Sequence, residues 1–184
     1  MRTTRPGQSA LLLPDVIALL QRHEVDYLVI GAFALAVHGT VRGSMDVDAL
    51  LRVDPARLPG LRDDFVAAGF TATLREGGDD DPILSLLAIT DPHGNRVDLL
   101  GGLRGLDLLA FRRGIDVPFR GETLRVVGRE DFIAMKCSAG SAQDILDAQS
   151  AYRGAQGPVD VDLVRRLTRR FGRDAAERLE QVLF

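Results

Sequence analysis

The sequence predicts an α/β (α+β) fold: a mixed β-sheet flanked by helices, with a helical C-terminal region. Three observations carry that expectation. A strand, helix, strand pattern occupies residues 26–53, and two apolar runs over residues 83–100 are split by Asp91, Pro92, His93, Gly94 and Asn95. From Arg129 onward the apolar spacing is helical throughout. At 184 residues the chain suits one principal core, with an α/β core over residues 1–128 and a helical region over 129–184 packed on it.

Taken in order, residues 11–22 repeat apolar side chains at helical spacing, and Pro14 suits a helix start, so a first helix should end near His23. Residues 26–30 form a strand. Gly31 and Ala32 turn the chain into a short helix over 33–38, and a loop over 39–44 leads to a strand over 45–53. Asp54 and Pro55 end that strand, and a helix over 58–68 follows, with Pro59 in its first turn and Gly69 as its stop. After a polar, acidic loop at 77–82, strands over 83–90 and 96–100 should form an antiparallel hairpin, because Pro92 and Gly94 favour a tight reversal. A glycine-rich bend at 101–105 and a helical turn precede a second hairpin, 115–119 with 123–127. Helices are expected over 130–138, 142–152, 160–171 and 173–183, punctuated by Gly154, Gly157, Pro158 and Gly172.

Composition excludes several function classes. A hydrophobic fraction of 46% with 27% charged residues is that of a globular protein rather than a disordered one. No apolar stretch reaches the roughly 18 to 20 residues of a membrane span. No secretory leader is apparent, so a cytoplasmic location is expected. The single cysteine, Cys137, has no disulfide partner and suits a buried position better than a reactive thiolate. A net charge of −3 argues against a broad nucleic-acid-binding face. Arg165, Arg166, Arg169, Arg170 and Arg173 cluster late, but interspersed acids make a salt-bridged helical surface the simpler reading than an RNA-binding patch. Of 23 basic residues only Lys136 is lysine.

Asp46 and Asp48 lie two apart on a strand, so both carboxylates leave the same face while Val47 packs behind. Close carboxylates repel unless a cation or a shared proton lies between them, and hard oxygen donors favour magnesium or manganese. A solvated edge strand would show the same spacing. The surrounding run, from Leu28, Val29, Ile30, Gly31 and Ala32 to Met45, Asp46, Val47, Asp48, Ala49 and Leu50, resembles the signature of the polymerase-beta-like nucleotidyltransferase superfamily. That signature is an apolar residue, Gly, then Gly or Ser, a gap, then Asp, an apolar residue and Asp or Glu. Ala32 departs from it, standing where the family has a second glycine or a serine.

The resemblance spans roughly residues 24–150 and implies an activity: transfer of a nucleoside monophosphate from a nucleoside triphosphate to a hydroxyl. It implies that Gly31 and Ala32 present backbone N–H groups to the triphosphate. It further implies that Asp46 and Asp48 hold the nucleotide's magnesium or manganese ion. Asp98, between Val97 and Leu99, takes the place of the family's third carboxylate, sharing a second metal and deprotonating the acceptor; read alone it better suits the solvent face of a strand, paired with an arginine.

His38, Gly39 and Arg42 form a His-Gly-x-x-Arg segment similar to small bacterial proteins of the AbiEii toxin group. This suggests a phosphate contact for Arg42, which otherwise reads as a loop arginine, and a packing role for His38. Residues 127–147 are similar to those proteins' helical segment and make Lys136 a candidate for the triphosphate or the carboxylate cluster, with Asp144 and Asp147 anchoring two helices through arginines. Serine and glutamine at 141 and 143, where the family segment often has a basic residue, weaken any substrate contact from there. The acceptor implied is an RNA such as a tRNA, a protein side chain or a small molecule, and a toxin role would bring a cognate antitoxin. A catalytically degenerate nucleotide-binding partner is the alternative, and Ala32 is the feature that favours it.

Overall fold

A computed structural model describes residues 2–41, 43, 46–154 and 157–184. Seven strands form one mixed sheet: β1 (Asp26–Val29), β2 (Asp46–Arg52), β3 (Thr71–Glu76), β4 (Ser85–Thr90), β5 (Arg96–Leu100), β6 (Ile115–Phe119) and β7 (Glu122–Val126), in the order β3-β4-β5-β2-β1-β7-β6. The α/β class and the hairpins β4–β5 and β6–β7 are as the sequence indicates. The centre of the sheet joins distant segments: β2 runs parallel to β5 and antiparallel to β1, and β1 runs parallel to β7.

Alternation divides the central strands into two faces. Val47, Ala49 and Leu51 with Val97 and Leu99 are buried on one; Asp46, Asp48 and Leu50 with Arg96, Asp98 and Leu100 occupy the other. Fully buried residues such as Leu28, Leu50, Leu87, Ile89 and Leu99 each contribute about 1.5–3 kcal/mol by leaving water. They hold the strands that carry the acids in register.

Helix α1 (Ser9–Arg22) packs on β5, β2 and β1, α2 (Gly31–Val37) on β2, and α3 (Leu58–Ala67) on β3 and β4. Pro14 departs from the sequence expectation: it lies inside α1, which begins at Ser9. The earlier start is secured from outside the helix. The Ser9 hydroxyl accepts the Arg96 amide at 3.0 Å, Asn95 Oδ1 accepts the Gln8 amide at 2.6 Å, and Leu12, Leu13 and Val16 around the proline are fully buried. Those contacts offset the hydrogen bond that proline cannot donate.

After α4 (Ala110–Arg113), the C-terminal segment forms α5 (Arg129–Ala139), α6 (Ala142–Arg153), α7 (Val161–Arg170) and α8 (Arg173–Leu183). Phe132, Ile133, Val164 and Leu179 from these helices belong to the same hydrophobic cluster as the sheet. Arg113 ties α4 to α5 by donating from Nε and Nη2 to both oxygens of buried Asp131, each at 2.7 Å. Gly140, at φ 74°, ends α5, and Ser141 and Asp144 form a capping box that starts α6. Arg165–Glu180 and Arg173–Glu177 pairs lie on the α7 and α8 surface.

Candidate active site

The site is built where β1 ends. Extended Ile30 donates its amide to the Asp48 carbonyl at 2.9 Å, and Gly31 then turns at φ 64° into α2. A side chain at residue 31 would put Cβ 2.2 Å from Asp48 Oδ2, so glycine is needed both for the turn and for the carboxylate resting against it. Ala32 is buried in the first turn of α2, where its methyl group offers no hydrogen bond.

Because β2 and β5 are parallel and in register, Asp46 stands opposite Arg96 and Asp48 opposite Asp98. Three carboxylates and one guanidinium therefore occupy four neighbouring positions on one sheet face. Arg96 Nε donates to Asp98 Oδ1 at 2.6 Å, and the Asp98 side chain is only 17% exposed. That hydrogen bond raises the Arg96 pKa, with Asp46 and Asp48 adding attraction from farther off.

The donor set suits a hard divalent cation in kind, since it offers carboxylate oxygens beside a glycine that leaves room at Asp48. Its arrangement is not closed around one: among the described residues no group of three or more His, Cys, Asp or Glu side chains is set to hold a metal ion. Asp98 instead has Arg96. Arg96 was not singled out from the sequence, although its place two residues before Asp98 puts both side chains on one face.

A cavity of about 270 Å³ opens between the sheet and α5. Asp48 and Gly31 lie at one part of its lining, with Ile83, Leu100, Leu103, Phe132 and Met135 as apolar walls and Lys136 and Asp144 as its charged remainder. The apolar wall is not legible in the sequence, because its residues come from three separated segments. A larger depression, about 470 Å³, is lined by Tyr27, Arg52, Phe111 and Arg125 but by none of Asp46, Asp48 and Asp98.

Lys136 is bound by the acids of the next helix: Nζ lies 2.7 Å from Asp144 Oδ1 and 2.9 Å from Asp147 Oδ2, and 5.7 Å from the centre of the Phe132 ring. This corrects the expectation that Asp144 and Asp147 anchor the helices through arginines. A lysine on α5 reaches both because they share one face of α6. Burial works to raise the Asp144 pKa, but hydrogen bonds from Lys136 and Ser141 outweigh it and hold the carboxyl below its usual range.

His38 packs rather than facing the cavity. Its Nε2 lies 3.0 Å from the Val127 carbonyl, its ring is 5.7 Å from that of Phe132, and burial lowers its pKa. Cys137 is fully buried, which pushes its thiol up to about 12. Arg42 lies outside the described residues.

No protein-family model matches the chain, and no curated protein matches it in sequence. Solved structures share its fold. The antibiotic-resistance factor ANT(2'')-Ia, in its solution structure, matches with a TM-score of 0.62 at 15% identity over 95% of this chain and 95% of its own. The lincosamide antibiotic adenylyltransferase LnuA, with lincomycin bound, matches at a TM-score of 0.52 and 10% identity, over 81% of this chain and 98% of its own. An antigenic nucleotidyltransferase-like protein from Paracoccidioides brasiliensis matches at 0.51 and 15% identity, over 88% and 85% of the two chains.

Proposed function

We propose that this nucleotidyltransferase-like fold carries a magnesium- or manganese-dependent enzyme that moves a nucleoside monophosphate from a nucleoside triphosphate to a hydroxyl acceptor in the cytoplasm. The observation that carries the reading is the register setting Asp48 beside Asp98 at the Gly31 turn. The fold shared with nucleotidyltransferases supports it.

Asp46 and Asp48 would hold the cation that accompanies the triphosphate, and Asp98 would share a second. The bound ions supply Lewis-acid charge to the phosphate oxygens and the leaving pyrophosphate. The α2 amides beginning at Gly31 and Ala32 contact phosphate, with Arg42 as a further phosphate ligand. Asp98 takes the proton from the acceptor hydroxyl as its oxygen bonds to the α-phosphorus. The bond from that phosphorus to the bridging oxygen breaks, and pyrophosphate leaves with the electron pair. Lys136, held between Asp144 and Asp147, sets the charge of the cavity wall facing the nucleotide.

The acceptor favoured is a small-molecule hydroxyl, in keeping with neighbours that act on or bind antibiotics. A tRNA or protein acceptor, and a toxin role with a cognate antitoxin, predict growth arrest on expression that Asp48→Ala abolishes.

Isothermal titration with nucleoside triphosphates, with and without magnesium, tests the reading. Magnesium-dependent binding to the native chain should disappear in Asp46→Asn/Asp48→Asn. Absence of binding to the folded native chain overturns the reading. Binding with no transfer to any acceptor favours the second reading, a degenerate nucleotide-binding partner, to which Ala32, standing where the family has glycine or serine, points.

A further inference from the structure

Arg96 is the one member of the four-position array that the proposed chemistry leaves without work. It is a β5 residue opposite Asp46 and two before Asp98, so strand alternation puts its side chain on the acids' face. Its guanidinium spends its Nε hydrogen on Asp98 Oδ1, at 2.6 Å, although 41% of the side chain remains open to solvent. That contact uses an oxygen of the carboxylate that a second cation would need. A cation tethered to the same strand is always present at the site, whereas a dissolved cation must arrive and displace it.

We propose that Arg96 is a tethered counter-ion that competes with divalent metal for Asp98, keeping the nucleotide-free site weak for metal and releasing Asp98 only when a metal enters. Arg96 is in this sense a positioning residue, acting through Asp98. The inference rests on the reading of Asp46, Asp48 and Asp98 as metal ligands. Two forces set the competition. The array gains a positive charge without a metal, and a metal brought to Asp98 meets a like charge until the guanidinium swings away. Partial exposure of Arg96 gives it solvent to swing into, so displacement is a side-chain rotation and leaves the strands in register.

The test is manganese binding to the nucleotide-free protein, read by electron paramagnetic resonance of the unbound ion. Arg96→Gln should bind manganese about tenfold more tightly than the native chain, the scale expected for removing a like charge beside a partly solvated ion. Arg96→Lys, which keeps the charge, should stay close to native affinity. Equal or weaker binding by Arg96→Gln overturns the inference while leaving the metal site in place. No manganese binding by either chain, even with a nucleoside triphosphate present, overturns the metal-site reading and this inference with it.

A second measurement needs no altered protein for its readout. The native Arg96 Nε–H resonance, assigned by its loss in Arg96→Gln, should shift with the same midpoint as magnesium binding as its bond to Asp98 breaks. A resonance unchanged at saturating magnesium overturns the inference.

Discussion

At Gly31 the backbone turns at φ 64° while an acid rests against its α-carbon. Gly31→Ala should therefore fail in two ways at once. The left-handed conformation costs about 1 kcal/mol in a residue with a side chain, and the new methyl group displaces the Asp48 carboxylate. Calorimetry should show a slightly lowered melting temperature and complete loss of magnesium-dependent nucleotide binding. His38 gives a prediction in pH. Burial lowers its folded-state pKa below the ordinary 6.5, so the unfolded chain takes up a proton first as pH falls. The stability it contributes is whole above about pH 6.5 and is lost as pH falls below that value. Denaturant midpoints at pH 7.5 and 5.5 should differ less in His38→Gln than in the native chain. At this scale the sequence was informative where chemistry fixes residue type. Gly31, Asp46, Asp48 and Asp98 stood out as candidates because glycine turns and acids between apolar strand neighbours demand a reason. Arg96 did not, because an arginine on a strand needs none.

At the scale of elements, the Lys136 bridge fastens α5 to α6. Asp147 is 1% exposed, so removing its cation strands a buried charge, even though Gln143 also donates to it at 2.8 Å. Lys136→Met should destabilise the fold by about 3 kcal/mol, measured by urea denaturation. Lys136→Met/Asp147→Leu should recover much of that loss, which would separate the packing role of the lysine from any part in nucleotide binding. Most elements were legible from periodicity, since α5 to α8 and the hairpins combine spaced apolar residues with Gly and Pro punctuation. Strand β3 is the one strand among the described residues that the sequence pattern does not predict. It lies at the sheet edge with only Ala72 and Leu74 turned toward the core, so Thr71, Thr73, Arg75 and Glu76 leave too little apolar signal. Helix α1 starts earlier than the sequence predicts because Ser9 and Gln8 are held by Arg96 and Asn95, long-range partners that no local pattern shows.

At the scale of the whole molecule, sheet and C-terminal helices share one hydrophobic cluster, and Cys137 of α5 belongs to it. A thiol both fully buried and pushed up to about 12 is inert until the helices part from the sheet. Labelling by a neutral-pH disulfide reagent should therefore proceed at the rate of global opening and slow when nucleotide and magnesium are added. Prompt labelling of the native protein would mean that the helical layer opens independently. The sheet order has a consequence for how the chain is made. Val29 must wait for Val126 to emerge before β1 gains its second neighbour, and Asp48 waits about fifty residues for Asp98. At roughly 5–20 residues per second, a nascent chain carries its central strands half paired for seconds. Slowed or interrupted synthesis beyond β2 should thus yield aggregated chains rather than a smaller folded unit, and the acids come together only when most of the sheet has been translated.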